Sequence, residues 1–306
     1  GLGQGFAGML VLGGITSLPE LGTATSAAAL GAPLLAFNNI FGSASFNILL
    51  LAVADMVLGA RPLTSVVAKP ATLIQGVLGM MLLALVIAAI LFGDRLLIGL
   101  VGIGSTIVFL AGLLAIRIAD RSERRPMWLV VNPPEQGFAK DAKRQDISNR
   151  RLATTLVFLA AIILAAGAIL AVSANEIAAR STLGKGLVGL LFVGAATSLP
   201  ELSAITGALR RRHYELAVGE IFGSNLFNLA IIFAIDVVAS GPPIFELAGR
   251  FEALAAVLAL AMTGVFVIGL IERRDETVLR MGQDSLAVVG LYLVGLVFLV
   301  HLDYAI

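Results

Sequence analysis

The chain has no cysteine, one tryptophan, two histidines and few charges, with Asp, Glu, Lys and Arg making up only 13% of its 306 residues. Without cysteine there can be no disulfide, no thiolate metal site and no thiol nucleophile. The two histidines, His213 after three arginines and His301 near the C-terminal end, read as interfacial side chains. Neither H-E-x-x-H nor G-x-S-x-G occurs, which argues against an intramembrane hydrolase. A net charge of +1 gives no sign of nucleic-acid binding, and nothing in the sequence points to a protein partner or a bound cofactor.

What the chain has instead is apolar length. Hydrophobic residues make up 58% of it, and the mean hydropathy is +0.98, well above that of a water-soluble domain. A helix needs about 20 residues to cross a bilayer. Apolar runs of that length recur at roughly 5–30, 33–59, 70–93, 96–118, 152–173, 183–209, 214–240, 250–271 and 283–303. An all-α bundle in the bilayer is expected, because only helices and closed barrels satisfy the backbone there. With the polar segment 119–150 placed in the cytoplasm, alternating spans put 17 of the 21 Lys and Arg on that side. This is the expected positive-inside asymmetry, and it suits a multi-pass protein of the cell membrane. The chain opens on Gly1, already in apolar sequence, so we expect a preceding segment that was removed or is not represented.

Shifted by 181 positions, the sequence aligns with itself without a gap. "GGITSLPE" (Gly13–Glu20) meets "GAATSLPE" (Gly194–Glu201), and "NIFGSASFN" (Asn39–Asn47) meets "EIFGSNLFN" (Glu220–Asn228). Five apolar runs separate the starts of the two copies, an odd number, so the copies cross the membrane in opposite senses. Inverted repeats of this kind build secondary transporters, with a site near the midplane between them.

The motif has a definite chemistry. Pro19 and Pro200 have no N–H to donate and clash with the preceding turn, so each should break its helix at the Thr-Ser step and free carbonyls around 13–16 and 194–197. Freed carbonyls and hydroxyls deep in a bilayer survive where they line a cavity, and they are ligands for hard cations. Glu20 and Glu201 add charge that an isolated span would hardly tolerate. Asn39, Ser43 and Asn47 fall on one helix face, as do Glu220, Ser224 and Asn228. Gly42 and Gly223 would let backbones approach closely. Together the copies should form a cage of oxygens with two to three carboxylates, suited to Ca2+ or Na+ rather than soft metals.

These residues resemble the repeats of the cation/calcium exchanger superfamily, most closely prokaryotic sodium/calcium exchangers, whose hallmark is similar to G-T-S-x-P-E followed by G-S-N-x-x-N or D. The resemblance implies ten helices in two inverted sets of five, the first being absent here. Residues 1–118 would hold helices two to five, 119–150 a cytoplasmic loop, and 151–306 helices six to ten. By that resemblance Glu20 and Glu201 match the central Ca2+-binding carboxylates. Thr16, Ser17, Thr197 and Ser198 match flanking Na+ and Ca2+ ligands, Gly13 and Gly194 match carbonyl donors, and Ser43, Asn47, Ser224 and Asn228 match ligands on the facing helices.

The resemblance implies antiport of Ca2+ against Na+ by alternating access, the two ions competing for Glu20 and Glu201. Exchange against H+ is the alternative, and a passive cation channel a third class that the inverted broken helices argue against. The motifs do not look like the G-N-x-x-E of the proton-coupled branch. Two departures stand out. Asn47 and Asn228 occupy positions where many Na+-coupled relatives have one Asp, and Glu220 stands where many have Asn. Glu220 is therefore expected to serve the transport path. Asp55 and Asp236, two turns beyond the asparagines, are expected to be interfacial carboxylates.

Overall fold

A computed structural model of the chain describes residues 14–59, 61–67, 69–94, 96–98, 101–124 and 149–305. Gly13 and most of the loop 119–150, including Arg125 and Trp128, lie outside these residues. The first repeat contains α1 (Leu18–Ala29), α2 (Pro33–Leu58), the single turn α3 (Leu63–Val66), α4 (Pro70–Phe92), the strands β1 (Leu96–Ile98) and β2 (Val101–Gly102), and α5 (Ile103–Arg124). Helix α6 (Asn149–Arg180) follows. The second repeat has α7 (Lys185–Leu187), a π-helical segment Val188–Val193, α8 (Gly194–Thr197), α9 (Leu199–Arg210), α10 (Tyr214–Val238) and the turn α11 (Ile244–Leu247). It closes with α12 (Arg250–Glu272), strands β3 (Thr277–Val278) and β4 (Met281–Gly282), and α13 (Gln283–Ala305).

The element bounds carry the repeat further than the motifs do. α1 and α3 recur as α9 and α11 at an offset of 181, and α4 recurs as α12 at 180. The linker 248–249 is one residue shorter than its counterpart 67–69, which accounts for the change. Eight helical spans among the described residues are long and apolar enough to cross a membrane. They coincide with eight of the nine apolar runs; the ninth, 5–30, is described only from residue 14.

Burial sorts the spans by role. α2 and α10 are the innermost, with 72% and 61% of their most apolar stretch buried, whereas that of α6 is 11% buried and faces lipid. α6 meets α1 at two glycines: a Cβ on Gly22 would lie 3.1 Å from the Leu164 backbone, and one on Gly167 would lie 2.9 Å from the Thr23 nitrogen. Small residues of this kind let helix backbones close up where lipid supplies no hydrophobic drive. Helix α6 also outruns its expected end at 173, because the polar stretch to Arg180 stays helical past the apolar core and ends on a Glu176–Arg180 pair one turn apart.

The expected helix 96–118 begins only at Ile103. Gly93, at φ +70°, ends α4, and the chain then turns through the β1–β2 hairpin, which is paired antiparallel. Asp94 accepts the Gly104 N–H at 2.9 Å, capping the new helix start. The second repeat has the same hairpin, β3–β4, so the all-α reading holds for the spans and not for these two corners.

Asp55 and Asp236 are buried in the protein, both 1% exposed. Asp55 accepts the Leu63 N–H of its own repeat at 2.6 Å and the Gly282 N–H of the other repeat at 2.7 Å. Asp236 does the reverse, accepting Ile244 N–H at 2.7 Å from its own repeat, with Gly102 N–H at 3.2 Å and the Ser105 hydroxyl from the other. Each carboxylate therefore satisfies donors at helix starts that would otherwise be buried unpaired. Together they clasp the two repeats to each other.

Candidate cation site

At both motifs the interruption is a single residue, Ser17 or Ser198, with Pro in the first turn of the helix that follows. The backbone is less unwound than the prolines suggest, since Ser198 N–H still reaches the Gly194 carbonyl and Leu21 N–H the Ser17 carbonyl. The prolines leave the carbonyls of Ile15 and Ala196 without an N–H four residues on. In the second copy the helix is also widened by the π segment before it, a feature common at functional sites. Gly42 and Gly194 make the close approach between α2 and α8 possible. A Cβ on Gly42 would sit 2.1 Å from the Leu190 oxygen, and one on Gly194 would sit 2.7 Å from the Gly42 carbonyl carbon. Gly223 has no such neighbour within 4 Å.

The structure brings the motif side chains into two half-sites, each fed by a broken helix from one repeat and a long helix from the other. In one, Thr197 donates to the Asn39 side-chain oxygen at 3.1 Å and meets the Ser43 hydroxyl at 2.8 Å. Both hydroxyls also lie on the Gly194 carbonyl, at 3.3 and 3.4 Å, so that oxygen is engaged in holding them. Glu20 faces this pair of hydroxyls. In the other half-site, Thr16 donates to Glu220 Oε1 at 3.1 Å, and Ser17 meets Ser224 at 2.9 Å. Ser224 in turn donates to Glu201 Oε1 at 2.7 Å.

Glu20, Glu201, Asn47, Asn228, Ser43, Ser198 and Ser224 are wholly inaccessible, and Glu220 is 1% exposed. Glu201 neighbours both Glu20 and Glu220. Among the described residues no three of Asp, Glu and His gather tightly enough to hold a metal by themselves. The expected cage with up to three carboxylates is thus better described as two adjoining pairs that share Glu201. Both oxygens of Glu20, Oε2 of Glu201 and of Glu220, Oδ1 of Asn47, the Asn228 amide and the Ser198 hydroxyl are buried without a hydrogen-bond partner. Buried polar atoms are rarely left so, and oxygens of this kind form a donor set for hard cations.

Asn225 belongs to the site and was not among the expected residues. It accepts from Asn47 Nδ2 at 2.9 Å and donates to the Ala44 carbonyl at 3.3 Å. The signal available in the sequence was its mismatch with Ala44, the equivalent residue of the other copy.

A family model for the sodium/calcium exchanger protein matches residues 1–118 and 151–301. CaxA, a candidate antiporter of Alkalimonas amylolytica, is 26% identical over 264 residues, which cover 83% of this chain and 77% of CaxA. The inner membrane protein YrbG of Escherichia coli is 28% identical over 246 residues, covering 79% and 71%. Among solved structures, the sodium-calcium exchanger NCX_Mj shares the fold at a TM-score of 0.57 and 17% identity, covering 97% of this chain and 87% of that one. The H+/Ca2+ exchanger CAX shares it at 0.65 and 15% identity, covering 97% and 76%.

Proposed function

Because this chain belongs to the sodium/calcium exchanger protein family and is a multi-pass membrane antiporter of that kind, we propose that it exchanges Ca2+ for Na+ by alternating access through the site between its repeats. The observation that carries this is the pair Glu20 and Glu201, supplied by the two broken helices, inaccessible, neighbouring, and with three of their four oxygens unpartnered. Two carboxylates match the charge of one divalent ion, and such an ion would offset the cost of burying both. Thr16, Ser17, Thr197 and Ser198 place hydroxyls next to each carboxylate in the chain, and Ser43, Ser224, Asn47 and Asn228 supply oxygens from the facing helices. The Gly13 and Gly194 carbonyls complete the set, Gly194 once its two hydroxyls turn away.

Na+ and Ca2+ cannot both use Glu20 and Glu201 at once. Release of one on each side then becomes the condition for binding the other, which is what couples the two fluxes. The flanking hydroxyls of T-S-L-P-E in both copies favour Na+ as the counter-ion over H+. The test is Ca2+ uptake into proteoliposomes loaded with Na+ at matched pH, beside a run with a pH gradient alone. Uptake that needs internal Na+ is expected. Uptake driven only by the pH gradient would assign protons as the counter-ion, and flux that needs no counter-ion would make the protein a channel.

A further inference from the structure

We infer that Asn225 is a positioning residue that fixes which atom of Asn47 meets the cation. The inference deepens the exchange function proposed above and rests on it. An amide side chain is a ligand for a hard cation only through its oxygen, because its NH2 group is purely a donor. An asparagine beside a cation therefore needs its orientation settled. The asparagines on the facing helices differ in how this is done.

Asn39 gives its Oδ1 to the Thr197 hydroxyl at 3.1 Å, and its Nδ2 is left buried without a partner. Asn47 shows the reverse. Its Nδ2 donates to Asn225 Oδ1 at 2.9 Å, and its Oδ1 is left buried and unpartnered. Asn228 has neither atom of its amide engaged. Of these three, only Asn47 is held by its nitrogen with its oxygen kept clear.

The polarity of that arrangement has a fixed origin. Asn225, on α10, spans two points of α2: it donates its Nδ2 to the Ala44 carbonyl at 3.3 Å and accepts from Asn47 three residues further on. A backbone carbonyl can only accept. The Nδ2 of Asn225 must then face Ala44, its Oδ1 must face Asn47, and Asn47 must turn its own Nδ2 toward Asn225. Each step removes one of two choices, and the last leaves Asn47 Oδ1 as the atom free for an ion. Asn47 lies one turn from Ser43 on the helix face that meets Thr197 in the first half-site. In the other copy Ala44 stands at the position equivalent to Asn225, so Asn228 has no such guide.

The experiment is radioactive Ca2+ binding to the full purified chain in lipid nanodiscs, at fixed pH in choline chloride, on a double-mutant cycle of Asn225→Ala and Asn47→Asp. A carboxylate carries an oxygen on both sides and needs no orienting. In the unaltered background Asn225→Ala should weaken Ca2+ binding about threefold, the loss of one neutral hydrogen bond. In the Asn47→Asp background the same change should cost nothing. A bond that only tied α2 to α10 would be missed in both backgrounds alike, so equal losses overturn the inference. Unchanged affinity in Asn225→Ala alone overturns it as well. So does loss of Ca2+ binding in Asn47→Asp alone, because that change keeps the oxygen that meets the ion. Asn225→Leu, close to asparagine in shape and without an acceptor, should repeat the Ala result, and it takes the place of the Ala variant should that one fail to fold. Absence of Ca2+ binding by the unaltered protein under every condition would sink the exchange function itself, an outcome distinct from binding that is indifferent to Asn225.

Discussion

The two half-sites use the same residue types at positions 181 apart, yet they end in different states, and two substitutions account for the difference. At 39 and 220 an amide faces a carboxylate. At 44 and 225 alanine faces asparagine, so Asn47 finds a side-chain partner in Asn225 while Asn228, which would need one on Ala44, keeps its whole amide unpartnered. The first half-site has an amide at its rim and a tie on its second asparagine; the other half-site has a carboxylate and lacks that tie. Inversion of the backbone thus fixes where ligands stand, and single residues decide what each half asks of an ion.

The strongest way to break this comparison is at the carboxylates both halves share in kind. Glu20→Gln and Glu201→Gln should each lower Ca2+ uptake on the order of 100-fold, the loss of about 3 kcal/mol expected for truncating a buried charge interaction. Normal size-exclusion behaviour would show that folding is kept, and normal exchange in either variant would remove the proposed site. The clasps offer a second contrast. Asp236→Ala abandons three donors and Asp55→Ala two. At about 1–3 kcal/mol for each buried unpaired donor, both should lower the thermal midpoint, Asp236→Ala further. Equal shifts would mean that the Ser105 contact contributes nothing.

Next in size, Thr197→Val removes a hydroxyl that serves both Asn39 and Ser43, whereas Thr16→Val leaves the Ser17–Ser224 contact standing. Apparent Ca2+ affinity should fall roughly tenfold for the first, about one or two hydrogen bonds, and less for the second. The smallest effect is expected from Asn225→Ala, which should free Asn47 and make the half-sites more alike. A change of about threefold in apparent affinity fits the loss of one neutral hydrogen bond; no change would show that the tie on Asn47 is incidental.

Much of this was legible because membrane spans and the T-S-L-P-E repeat write themselves in rare events: a proline and a carboxylate inside apolar sequence are seldom placed by chance. The spans and the burial of the described candidate ligands follow from that. The hairpin at 96–102 was not legible, since Leu96–Ile98 continues the apolar run and only a tertiary acceptor, Asp236, shows why the helix starts later. The π segment Val188–Val193 has an ordinary helical composition, and its close packing against α2 is a tertiary feature. The bridging role of Asp55 and Asp236 was not legible because they reach backbone N–H groups of the other repeat, which leave no mark in the side-chain pattern.

The clasps also say something about ancestry in the language of symmetry. Asp55 grips the hairpin of the second repeat and Asp236 grips the hairpin of the first, so contact i to j is answered by contact j to i. Reciprocity of that form defines an isologous two-fold interface, the kind that joins two identical subunits. Two copies of a single repeat could keep both clasps. They could not keep Asn39 opposite Glu220 or Ala44 opposite Asn225, because identical chains must carry identical residues. Joining the halves in one polypeptide is what lets a two-fold frame enclose a site whose two sides differ.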